Sequence, residues 1–390
     1  MKKRGAGKGM RLFFLLMSFC GGLVFYAPVA LLVRTEAGLD LSQVFFVEVV
    51  MSATILLFEI PAGIVSDKIG YKRTVVLSRS LLFLARIIFL IAKDPWLFAL
   101  ERFVEGLAYA VSSGSEQSYL YSYYKEEDYA VFNSRAGRAG TVGFIISTLL
   151  CSVILKYSSV RVLVALTCVS TFLGLISAIA LPPERQTDAL PSENKTRVKG
   201  MIPKRSLSLF FVLGGISAAY LVVNYFYAVK NERMGMEYGF LSLIILGYSA
   251  VEMLSPVIIK RIKKKHYEHW IVITAAASAT GFGAIFLLDS LWCLPFLLCV
   301  PLGLNIMSCL CDELINERID ESGLEKHRAA VLSVFSMGSN ILDIVFLVVS
   351  AGLATGEGNI SFLFAAVYMV VVLGLSAFAL MLGKIERRRG

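Results

Sequence analysis

Histidine is almost absent from this chain, with three residues among 390, and charged side chains of every kind make up only 17% of it. The three, His266, His269 and His327, lie in or beside predicted loops, which leaves no His-based metal cluster or catalytic base. No nucleophile–base pair or metal-ligand spacing stands out elsewhere, so the expectation is no enzyme and no cofactor. The seven cysteines (Cys20, Cys151, Cys168, Cys293, Cys299, Cys309, Cys311) fall almost entirely inside apolar runs. They read as small buried hydrophobes, not as disulfides or metal ligands. A formal net charge of +9 raises nucleic acid as a partner. The cations sit in short links, not on an amphipathic face or beside aromatic platforms, and that partner is excluded.

What the chain does have is apolar length. Hydrophobic residues make up 57% of it and mean hydropathy is +0.71, whereas an ordinary soluble domain is about 45–50% apolar. Roughly 20 apolar residues cross a bilayer core of about 30 Å. By that measure twelve runs are predicted to span: 11–33, 43–66, 74–92, 95–122, 134–156, 159–181, 206–229, 238–260, 267–288, 291–316, 329–352 and 358–383. Lys2, Lys3 and Arg4 before the first run imitate a signal peptide, but the run is long for one and no small-residue cleavage site follows, so it is kept as a span. One long hydrophilic link, Pro-punctuated and charged, splits the runs six and six. The predicted fold is an all-α integral membrane protein of twelve transmembrane helices in two six-helix bundles, 1–182 and 206–390, joined by a cytoplasmic linker at 183–205.

Orientation follows from Lys and Arg, which concentrate in cytoplasmic links. One side holds the N-terminus, the link with Lys68, Lys72 and Arg73, the central link, the link with Lys260, Arg261, Lys263, Lys264 and Lys265, and the C-terminus. The other has only Arg34, Lys93, Lys156, Arg161, Lys230 and Arg233. Both termini are expected in the cytoplasm, as an even number of spans also requires, with the protein in the plasma membrane as a monomer.

Between the second and third runs stands Glu59-Ile-Pro-Ala-Gly63-Ile-Val-Ser-Asp67-Lys68-Ile-Gly70-Tyr-Lys72-Arg73. So short a turn puts two antiparallel helices in contact, with Gly63 expected to allow close approach and Gly70 to supply the turn. Gly63, Asp67, Lys68, Gly70 and Lys72 resemble the loop signature of the major facilitator superfamily, although Tyr71 replaces its usual Arg and Val65 its usual Leu. Arg102-x-x-Glu105-Gly106 is similar to that family's helix-four motif, with Glu where Gln is usual. The stretches LFEIPAGIVSDKIG and SGSEQSYLY resemble its drug-efflux-type bacterial branch. The fifth run has Gly137, Gly140 and Gly143 on one face, yet lacks the Gly-Pro of the family's antiporter motif. The halves also resemble each other: Glu59 slides onto Glu252, Gly106 onto Gly303 and Glu116 onto Glu313, as two fused repeats would.

Ionisable residues inside spans are costly and therefore candidates for function. Glu48, Ser52 and Glu59 fall in one arc of the second run, and Glu59 is expected to pair with Arg79 of the third, at similar depth within about 5 Å. On the fourth run Arg102, Glu105, Tyr109, Ser112, Ser113 and Glu116 form one polar stripe. Arg102 and Glu105 are candidates for proton coupling or for a static pair. Glu252 has no cation on its neighbouring runs, and it joins Asp343, near the middle of its own, as a candidate proton carrier. The resemblance implies that Glu116 belongs with the Asp67 loop in a conformational latch. It also implies a cavity wall containing Tyr26, Tyr109, Tyr220, Asn224, Tyr227 and Asn305, with Asn340 near the bilayer middle. Aromatic and amide groups suit an amphipathic organic ligand.

The function expected is proton-coupled export of a small cationic or neutral amphipathic molecule by alternating access. The alternatives are import or facilitated diffusion of a nutrient, and a non-transporting membrane sensor or scaffold of the same fold.

Overall fold

The computed structural model describes residues 2–184, 207–321 and 337–349 apart from positions 114, 125, 237 and 339, with scattered positions between 363 and 374. The described residues are helical with no strand. They divide into two compact units, Met1–Glu193 and Asn194–Gly390. Nine described helices are long and apolar enough to cross a membrane. The twelfth predicted run lies mostly outside the described residues, as do the start of the eleventh, the basic C-terminus and nearly all of the linker.

The first unit comprises α1 (Lys2–Gly22), α2 (Ala30–Glu36), α3 (Leu41–Ile69), α4 (Tyr71–Ile91), α5 (Pro95–Ser112), α6 (Ser115–Tyr121), α7 (Glu126–Tyr157) and α8 (Val160–Ile179). Local chemistry sets several of its boundaries. Asp40 opens α3 with a reciprocal cap: its side chain accepts from the Gln43 N–H while Gln43 returns a bond to the Asp40 N–H. Asp94 accepts from the N–H groups of Trp96 and Leu97, and Pro95 occupies the first turn of α5. Two predicted runs are interrupted. The first breaks between Gly22 and Ala30, and the fourth breaks after Ser112, where Ser113 leaves helical geometry with ψ 120°.

Helices α3 and α5, α4 and α5, α4 and α8, α1 and α7, and α1 and α8 lie side by side. Close approach falls at particular glycines. A Cβ on Gly22 would run into the Gly140 carbonyl, and one on Gly143 into that of Phe19, so α1 and α7 meet backbone to backbone. Gly106 lets α5 press on α3, where a Cβ would lie 2.8 Å from Met51 O and 2.9 Å from Thr54 Cβ. Gly63, expected to serve this purpose, does not: a Cβ there meets nothing within 4 Å. Gly137 is equally open. Gly22→Ala is accordingly expected to lower the apparent unfolding temperature of the purified protein by the equivalent of about 1–3 kcal/mol, because a backbone atom cannot yield. Gly137→Ala should leave it unchanged or higher, since Ala favours a helix over Gly. Equal effects of the two would refute this packing.

The second unit comprises α9 (Leu207–Arg233), α10 (Tyr238–Glu252), α11 (Ser255–Ile259), α12 (Tyr267–Leu287), α13 (Leu294–Glu321) and α14 (Asn340–Val349). The eighth predicted run breaks at Met253–Leu254, just before Pro256, and α10 ends on Glu252. Helix α13 takes α12, α10 and α9 as neighbours. Gly303 faces Ser278 of α12, not the counterpart of the α3 surface that Gly106 meets, so the aligned glycines serve different contacts.

Candidate functional site

At the Asp94 end of the first unit six charges converge in the interior. Helix α5 places Glu101, Arg102 and Glu105 within little more than one turn, α4 supplies Arg86, α3 Glu48 and α2 Arg34. Arg34 lies 3.1 Å from Glu48, and Glu48 lies 2.9 Å from Arg102. Arg102 pairs in turn with Glu105 and lies 3.6 Å from Glu101. Arg86 bonds Glu105, lies 3.4 Å from Glu101, and stacks 5.4 Å above the Tyr26 ring. All six are buried, Arg34 and Glu101 completely. Counted formally, three cations face three carboxylates and the charges balance. Such closure is what makes buried ions tolerable, since each would otherwise cost several kcal/mol.

This geometry amends the expectations from sequence. Arg34, counted among loop cations, is a core residue. Glu101, absent from the predicted stripe, is a second acid, beside Glu105, that Arg86 and Arg102 share. Glu105 is no isolated partner of Arg102, since its two oxygens face two different guanidinium groups. Tyr26 is 5% exposed, its ring 4.8 Å from Phe89 and beneath Arg86, and so lies inside the unit. Tyr109, on the same helix as the cluster, is 44% exposed.

At the opposite end of the unit Gly70 joins α3 to α4 with φ +91°, a conformation that favours glycine. A Cβ there would collide with Glu184, whose carboxylate accepts the Lys72 N–H at 3.2 Å. Glu184 thus closes the first turn of α4, where a negative group is favoured. Neighbouring Pro182 and Pro183 are held by the Tyr119 and Tyr123 hydroxyls, which donate to their carbonyls. Lys68 and Arg73 are exposed, Lys72 is half-buried, and the side chain of Asp67 lies outside the described residues. The expected Glu59–Arg79 pair does not form. Arg79 donates to Glu116 at 2.7 Å, Glu116 also accepts from Ser112, and Glu59 accepts from Ser113 at 3.3 Å. The break after Ser112 brings Glu116 back toward α4, a turn that an unbroken helix would not make.

In the second unit Asp343 is 8% exposed and accepts from Ser217 of α9 at 2.7 Å through one carboxyl oxygen. Its other oxygen, Oδ1, is buried and has no hydrogen-bond partner among the described residues. Gly214, one turn before Ser217, lies so close to Leu342 that a Cβ would come within 2.8 Å of its Cβ. Glu252 accepts from the Tyr220 hydroxyl at 2.9 Å, and the same hydroxyl lies 3.2 Å from the Pro301 carbonyl of α13. Tyr227, 2% exposed, donates to the Leu297 carbonyl at 2.9 Å. That carbonyl is free because Pro301, four residues on, has no N–H to give it. Asn224 is exposed, while Asn305 and Asn340 are half-buried. Lys230, counted among loop cations, is fully buried against Asp289, and Lys264 lies 3.7 Å from Glu313. Among the described residues no group of three or more His, Cys, Asp or Glu side chains is placed to hold a metal ion.

Membrane-length helices with charges neutralised inside one unit and carboxyls held by hydroxyls in the other describe a membrane protein built around buried polar groups. Residues 12–342 match the Major Facilitator Superfamily. The chain belongs to the Major Facilitator Superfamily. It is a multi-pass membrane protein with the transporter fold of that family, and the family's cargo is small molecules. Two solved structures titled as the nucleoside transporter NupG are similar in fold. One, a point mutant, has TM-score 0.77 at 14% identity, covering 95% of this chain and 99% of its own. The other has TM-score 0.73 at 14% identity, covering 96% and 99%. No curated protein matches the sequence. Within this superfamily fold the Gly70 turn carries the loop signature, and Glu184 at its side is a member that the motif alone does not disclose.

Proposed function

We propose that this chain is a proton-coupled transporter of a small neutral or cationic amphipathic organic molecule, working by alternating access, and that Asp343 and Glu252 exchange the protons. One contrast carries the reading. Among the described residues neither carboxyl is paired with Lys or Arg, each being held by a single hydroxyl, whereas every acid of the six-charge cluster faces an arginine. A carboxyl held by a hydroxyl gains and loses a proton without breaking an ion pair; Glu105 has two to break. We therefore assign Arg102 and Glu105 to holding the first unit together. The Gly63–Arg73 loop with Glu116 and Glu184 is the latch.

Uncompensated carboxyls inside a span favour cationic or neutral cargo over an anion, and export against a proton flow is the direction proposed, as in the drug-efflux-type branch. In this reading twelve spans form two bundles, 1–182 and 206–390, with both termini cytoplasmic, in the plasma membrane, as a monomer without cofactor or enzymatic activity. Import of a polar nutrient is the second reading. It draws on the nucleoside-transporter titles of the two fold neighbours, and at 14% identity that likeness carries the fold and not the cargo.

The test is purified protein in liposomes with an imposed pH gradient, probed with a cationic amphipathic dye and with a nucleoside while internal pH is followed. Dye movement coupled to opposite proton movement is the expected result. Nucleoside uptake with protons favours the second reading, and movement of neither solute nor proton overturns transport and leaves the sensor.

A further inference from the structure

We infer that Tyr220 is a positioning residue that passes the protonation state of Glu252 on to helix α13 at Pro301. The inference rests on the proposed role of Glu252 as a proton carrier. A tyrosine hydroxyl has one hydrogen to donate. Two acceptors compete for it here, Glu252 Oε1 at 2.9 Å on α10 and the Pro301 carbonyl at 3.2 Å on α13. While Glu252 is ionised the carboxylate takes the bond, because a charged acceptor makes the stronger one. When Glu252 takes up a proton from water its new O–H donates to the Tyr220 oxygen, and the Tyr220 hydrogen turns to the Pro301 carbonyl. One proton enters, no covalent bond other than O–H is made or broken, and the hydroxyl changes partner from one helix to another.

Two local features make α13 responsive at this point. Pro301 removes the hydrogen bond that would fix the Leu297 carbonyl, and the helix relies there on the Tyr227 hydroxyl instead. Glu252 is the last residue of α10, immediately before the Met253–Leu254 interruption, so its side chain sits at a helix end. The groups facing Glu252 are few. Helix α9 presents Tyr220 and Tyr227, α10 presents Tyr248, and α13 presents the Pro301 carbonyl next to the shared Tyr220 hydroxyl, with the Asn305 amide beside the Tyr220 oxygen and Cys299 near Tyr227. Helix α11 contributes no charged side chain. No described cation pairs with Glu252, so its protonation changes the local charge without a compensating partner.

The experiment takes the full-length protein in lipid nanodiscs. The infrared carboxyl band that Glu252→Gln removes gives the protonation midpoint of Glu252. Amide hydrogen exchange in residues 297–305, corrected for the intrinsic pH dependence of exchange, is then compared above and below that midpoint. In the wild-type protein protection is expected to change across the midpoint. Tyr220→Phe, which keeps the ring and removes only the hydroxyl, should abolish that change. Tyr227→Phe should lower protection at both pH values and leave the change in place, which a merely structural role for Tyr220 would also do. A pH-linked change that survives Tyr220→Phe, or one absent from the wild type although Glu252 titrates, overturns the relay and leaves Glu252 as a proton carrier. A Glu252 band that does not titrate overturns both.

Discussion

Arg86→Met is expected to lower the stability of the protein by about 3–5 kcal/mol, the cost of leaving a buried carboxylate without its partner. Arg86 is 4% exposed and is shared by Glu101 and Glu105, so its loss leaves three carboxylates facing two arginines in a closed interior. The argument concerns charge balance more than contact area. Pairing the change with Glu101→Gln restores two against two, and the double variant should regain at least half of what the single one loses. Apparent unfolding midpoints in detergent, at one heating rate, are the measurement, because membrane proteins commonly unfold irreversibly. A double variant no more stable than the single one would mean that packing of the guanidinium against Tyr26, not neutrality, sets the cost. Added salt should change little for either protein, since buried pairs are poorly screened.

The same cluster marks the limit of what the sequence discloses. Apolar length is a local property, and it marks the described spanning helices to within a few residues at most ends, with α1 beginning nine and α7 eight residues before their predicted runs as exceptions. Periodicity also put Arg102 and Glu105 on one face, because neighbours at i and i+3 are fixed by helix geometry. Partners on other helices have no such signature. Arg34 follows an apolar run and looks like a loop cation, and only the break between Gly22 and Ala30 turns it back to Glu48 of α3. Depth along a shared hairpin pairs Arg79 with Glu59, but the interruption of α5 after Ser112 gives it Glu116 instead. Helix breaks are poorly legible because their exposed carbonyls are satisfied by side chains that come from elsewhere in the fold, as Ser170 does for Leu23. Glu184 was hidden for a simpler reason: it stands at the start of a hydrophilic link, and nothing local tells a link residue from a helix cap that serves a turn 112 residues away.

Asp343→Asn should remove one proton from the transport cycle while leaving the helix contacts in place. Asparagine has the shape of the carboxyl and keeps an oxygen for the Ser217 hydroxyl, so neither the 2.7 Å bond nor the tight approach of Leu342 to Gly214 is disturbed. What is lost is the ability of a buried oxygen, unpartnered among the described residues, to carry a hydrogen. A gradient of one pH unit supplies about 1.4 kcal/mol per proton, equivalent to about tenfold in solute accumulation. If Asp343 and Glu252 each carry one proton, the wild type should reach roughly a hundredfold accumulation per pH unit, and Asp343→Asn about ten times less. Exchange of solute down its own gradient needs no net proton movement and should persist in the variant. Solute accumulation in liposomes at a series of imposed pH gradients gives the ratio directly, and an unchanged slope for Asp343→Asn would exclude Asp343 from coupling. Loss of downhill exchange together with accumulation would move it from the coupling path to the binding of solute.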